Sequence, residues 1–219
     1  MKNKLESDSG AALITGSILM VITMALHPYE GSIAHLFKVI TMVIITHSIA
    51  IISIPIVLFG FWGLTKRLGG DKIISIIAFI TICLGMISIM LAAGVNGVAM
   101  PLFLTAYKNA PPEIINTLKP ILVYSGALNH MFDYIFIGFM CIAVMLWSIT
   151  IIRTKSLPVW IGYVGMGLFA LTIILMLAGF VLVDLMGFRT FIFLFVAWIL
   201  VVGVQLRKPV QQISIPEKR

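Results

Sequence analysis

A chain of 219 residues, 61% hydrophobic and 11% charged, with mean hydropathy +1.14, cannot hide its apolar surface in one water-soluble core. Lipid must solvate most of it. The net charge of +7 excludes little by itself. The Lys and Arg residues are scattered through short connections and the C-terminal tail, with no basic stripe interleaved with aromatics, so nucleic acid is not expected as a partner.

A short polar N-terminus (1–10) leads into the first apolar stretch, 11–26, which closes on His27-Pro28. Lys2 and Lys4 precede it as in a signal peptide, but Glu6 and Asp8 intervene and no A-x-A site follows, so a retained span is expected. Five more stretches follow at 39–64, 73–99, 121–152, 159–183 and 188–206, before a polar tail at 207–219. At a rise of 1.5 Å per residue each crosses most or all of a hydrocarbon core about 30 Å thick. The expected fold is all-α, a six-helix transmembrane bundle forming one transmembrane domain.

Basic residues fall unequally on alternate sides of these spans, eleven on the side of the termini and four on the other. The positive-inside rule then predicts a multi-pass protein of the cell membrane with both termini cytoplasmic. A short echo, Met90-Leu91-Ala92-Ala93-Gly94 against Met176-Leu177-Ala178-Gly179, suggests a tandem hairpin repeat of the second and third with the fourth and fifth spans. Chance similarity between low-complexity apolar helices accounts for the echo as readily.

Cys83 and Cys141 lack the spacing of a metal knuckle or redox pair, and read as packing residues. The thirteen methionines occur singly rather than in MxxM runs, and read the same way. The informative residues are polar. His47 lies in the second span, and Asn129, His130 and Asp133 lie in the fourth. A central Asp costs roughly 2.5–3.5 kcal/mol to insert, so such groups are functional candidates by default. With the N-terminus inside, all four histidines fall in the outer half, and the inner half is expected to hold no comparable cluster. Asn96 sits near the outer end of the third span and Asp184 at the outer end of the fifth. His27, Glu30 and His35 occupy the first outer loop and are candidates for its mouth.

His130 and Asp133 are three apart and share a helix face. With His47 they form a candidate set for a metal ion or small ligand, with Asn96 and Asn129 supporting them from behind. The same groups suit a proton relay. His47 and His130, at similar depth on parallel helices, also suit b-type haem, although only one such pair exists. Thr46-His47-Ser48 and Asn129-His130 resemble part of the Ser, Asp and three-His zinc set of seven-helix ceramidase- and receptor-like membrane hydrolases. That resemblance implies zinc-dependent intramembrane hydrolysis. The chain departs from it by having six spans, no His-x-x-x-His near its C-terminus and no third intramembrane His. Beside these stands the reading in which the cluster only ties helices together, each interhelical bond contributing about 0.6–2 kcal/mol. The expected partners are the lipid bilayer and a small or lipid-like ligand.

Overall fold

A computed structural model describes residues 2–29, 31–70 and 72–208. The chain forms α1 (Lys2–Leu26), α2 (Ile33–Arg67), α3 (Ile73–Ala92), a π-helical segment (Ala93–Ala99), α4 (Met100–Thr105), α5 (Pro112–Thr117), α6 (Lys119–Thr154), α7 (Val159–Leu177) and α8 (Leu185–Leu206). Among the described residues six helices are long and apolar enough to cross a membrane, with α3 through α4 as one span and α5 with α6 as another. This is the architecture of a multi-pass membrane protein.

The outward faces are as apolar as the core. On α3, Ile77, Ile80, Leu84, Ile87 and Leu91 recur at three- and four-residue steps and are exposed, while Ala78, Ile82 and Met86 are buried. A helix apolar all round has hydrocarbon on one side and protein on the other.

Local chemistry sets the helix ends. The Ser32 hydroxyl accepts from the His35 amide at 3.3 Å and starts α2. Lys155 takes a left-handed conformation (φ 53°) and stops α6. Asp184 caps α8 by accepting from the Gly187 amide at 2.6 Å. The fifth span therefore ends at Leu177, short of the expected 183, and Asp184 opens the sixth helix instead of closing the fifth. The two echoing segments also take different courses. Residues 90–94 stay helical and enter the π segment, whereas 176–179 leave α7 through Gly179 at φ 81°.

Consecutive spans close into a ring. α1 packs on α2 and α8, α3 on α6, and α6 on α7, with smaller contacts joining α2 to α3 and α7 to α8. Small residues permit the closest approaches. A Cβ on Gly60 would collide with Leu13, and one on Gly10 would lie 2.5 Å from the Gly203 carbonyl oxygen. Phe61 stacks on Trp147 at 4.8 Å across the ring, filling the half nearer the basic turns.

At that basic end Arg67 pairs with Glu6 and donates to the Ser156 carbonyl at 3.2 Å, with both charged side chains buried. This is a polar cluster where none was expected, and it arises because α1 begins at Lys2 and carries Glu6 into the bundle. Counted from this anchor at 1.5 Å per residue, the end of α1 at His27, His47 on α2 and Asp133 on α6 all lie about 30–35 Å away. That is one hydrocarbon thickness. Here α1 and α7 end and α8 begins, while α2, the π segment and α6 continue past them.

Candidate functional site

The three shorter spans end where the three longer ones continue, and this shoulder leaves a cavity of about 140 Å³. Its walls come from the last turns of α1, the middle of α2, the end of α3, the middle of α6 and the start of α8. Met24, Met86, Ile89, Phe136 and Phe188 make most of the surface apolar, while His27, His47, Asn129, Asp133 and Asp184 supply the polar wall.

The π segment organises that wall. A π turn carries one residue more than an α turn, which rotates the next stretch of helix about its axis and often marks a working site. Here it carries Asn96 to α6, between Ser125 and Asn129. Ser125 Oγ donates to Asn96 Oδ1. Asn96 Nδ2 donates to Asn129 Oδ1 at 3.1 Å, and Asn129 Nδ2 donates to Asp133 Oδ2 at 2.6 Å. All three donors point the same way and end on the carboxylate. The order is self-consistent, because an ionised carboxylate only accepts, which turns the Asn129 nitrogen towards it and the Asn129 oxygen towards Asn96. Such a chain polarises each of its bonds in the same sense. Asp133 is only 5% exposed, and Oδ1 makes no hydrogen bond among the described residues.

His47 faces the same cavity from α2. Its Nδ1 lies 2.8 Å from the Val43 carbonyl. A carbonyl can only accept, so Nδ1 carries the proton and Nε2 is left as the acceptor of the neutral ring. The ring rests on the π segment, where a Cβ at Gly97 would overlap it. The His27 ring meets it edge-on at 4.9 Å. Arg189 Nη2 donates to the His27 carbonyl at 2.6 Å, which caps the end of α1 and ties it to α8.

The residues singled out from sequence thus separate. His27, His47, Asn129 and Asp133 line one cavity, and Asn96 joins it through Asn129. His130 does not: it lies on the exposed side of α6 among Ala127, Met131 and Tyr134. His35 sits in the first turn of α2 outside the cavity lining, and Glu30 lies outside the described residues. The expected His47, His130 and Asp133 set is therefore not brought together, and neither is the His47 and His130 pair that haem requires. Among the described residues no three His, Cys, Asp or Glu side chains converge in a way that would hold a metal ion. Sequence reasoning missed Ser125, whose signal is the i, i+4, i+8 run Ser125, Asn129, Asp133. It also misplaced Asp184, which precedes Gly187 by the three residues of an N-cap.

Comparisons of the chain with protein-family models, with curated proteins and with solved structures return no match.

Proposed function

We propose that this protein binds a small molecule in the cavity between α1, α2, α3, α6 and α8, with Asp133 and His47 as its polar contacts. One observation carries the reading: a carboxylate 5% exposed, with one oxygen unpaired, borders a space of about 140 Å³. Oδ1 meets no protein donor among the described residues and is not sealed from solvent, so a molecule in the cavity can reach it. Cavities of about 150 Å³ accept one benzene ring. The charge count supports an orientation in which both termini are cytoplasmic and the cavity opens at the outer leaflet of the cell membrane.

The test uses 4-fluorobenzyl alcohol and fluorine NMR on the purified protein in neutral detergent. The probe signal should broaden with the native chain and stay sharp with Ala50→Phe, which fills the cavity that Ala50 lines. Elemental analysis and an absorption spectrum on the same sample bear on the metal and haem alternatives. A stoichiometric metal or a Soret band would overturn the small-molecule reading.

A second reading has its own support. The bonds Ser125 to Asn96 and Asn96 to Asn129 join α6 to the π segment, which suits a cluster that fixes helix packing. Broadening by the probe that persists in Ala50→Phe would favour it.

A further inference from the structure

Resting on the reading that the cavity holds a ligand, we infer that this ligand is a small organic cation, an ammonium group carried on a ring-sized apolar body. The cavity is rich in acceptors and poor in donors. Two carboxylates, Asp133 and Asp184, line it, and no Lys or Arg is among its lining residues. Its hydroxyl protons are already committed: Ser53 Oγ donates to the Ala50 carbonyl at 2.7 Å, and Thr23 Oγ1 to the Thr46 carbonyl at 3.5 Å. His47 commits its Nδ1 proton to Val43 in the same way. With these protons committed, a ligand that brings its own donors matches the wall best.

The chain from Ser125 through Asn96 and Asn129 ends in a single donor, Asn129 Nδ2, on Oδ2 of Asp133, and the two bonds behind it are aligned in the same sense. Arg189, the basic side chain in the first turns of α8, is not among the lining residues: its Nη2 donates to the His27 carbonyl and its guanidinium lies 5.0 Å over the Tyr29 ring, while its buried Nε has no hydrogen-bond partner among the described residues. A carboxylate in that position lacks a protein cation. An ammonium would supply the missing charge and meet Oδ1 of Asp133. The thioethers of Met20, Met24 and Met86 and the rings of Phe136 and Phe188 suit the apolar body, because polarisable sulfur and aromatic faces tolerate a nearby cation.

Three probes of closely similar size vary the charge: 2-phenylethylamine, 2-phenylethanol and phenylacetate, each titrated against the full chain in neutral detergent at pH 7. The amine should bind about tenfold more tightly than the alcohol, the difference between a charge-assisted and a neutral hydrogen bond, and the carboxylate more weakly than either. Asp133→Asn should bring the amine down to the affinity of the alcohol and leave the alcohol unchanged. Asp184→Asn keeps the α8 cap, since Asn caps as well as Asp, and should narrow the same ratio should Asp133→Asn fail to fold. An alcohol that binds as tightly as the amine, or a ratio unmoved by both variants, overturns the cation while leaving the cavity reading intact. Failure of all three probes to bind overturns both.

Discussion

Adjacent residues on α6 separate the chemistry most sharply. Asn129 accepts from Asn96 and donates to Asp133, whereas His130 is exposed. Asn129→Leu leaves an amide and a carboxylate oxygen without partners and should cost about 1–3 kcal/mol. His130→Leu should stay within about 0.5 kcal/mol, as exposed substitutions do. Thermal unfolding in one detergent compares the two. Equal losses would mean that His130 is buried in the native protein. A second contrast lies in the π segment. Gly97→Ala would push into the His47 ring, while a Cβ at Gly94 meets nothing within 4 Å. The first should cost about 1–3 kcal/mol through overpacking and release probe binding as His47 moves. Gly94→Ala should be neutral or stabilising by up to about 1 kcal/mol. The polar residues themselves were legible in the sequence, because Asn129 and Asp133 stand out in an apolar run. Which neighbour faces inward was not. Asp133 lies near both Asn129 and His130 in helical angle, and the Asn96 contact that selects Asn129 depends on a π turn that no local pattern announces.

At the scale of the elements, span number was plain from hydropathy, but helix ends were not. The expected second and fourth spans stop at 39 and 121, yet α2 begins at Ile33 and α6 at Lys119. Hydropathy measures what lipid accepts, and a helix continues past that limit wherever other helices pack on it. The same blindness hid the basic end. Glu6 read as part of the short polar N-terminus, although α1 carries it against Arg67, and Arg67 in turn reaches Ser156 between α6 and α7. That one guanidinium links α1 and α2 to the turn between α6 and α7. Removing a single partner of a buried pair typically costs 3–5 kcal/mol, whereas replacing both with apolar residues of similar volume can be neutral. Glu6→Leu should therefore lower the unfolding temperature strongly, and Glu6→Leu with Arg67→Met should recover most of the loss. A double variant as unstable as the sum of its singles would show that the pair contributes no coupling.

For the whole molecule, direction decides what the cavity can meet. Its polar wall lies about 30 Å along the helices from the Glu6 and Arg67 anchor, so with that anchor at one face of the hydrocarbon the cavity would sit at the other and not in the middle of the bilayer. This lowers the cost of Asp133, because insertion penalties fall towards the interface. It also places the site beyond most of the transmembrane field, worth about 2.3 kcal/mol per charge per 100 mV for a full crossing. A cation entering from its own side should thus bind with little dependence on membrane potential. Labelling identifies that side. In a Cys83→Ala, Cys141→Ala background, Lys108→Cys marks the end of the molecule beyond the cavity and Lys72→Cys the basic turn between α2 and α3. Both positions are exposed. With the termini cytoplasmic, a membrane-impermeant maleimide should modify Lys108→Cys in intact cells and Lys72→Cys only after permeabilisation. The opposite pattern would turn the cavity towards the cytoplasm, and the basic residues near Arg67 would then face outward against the usual charge bias.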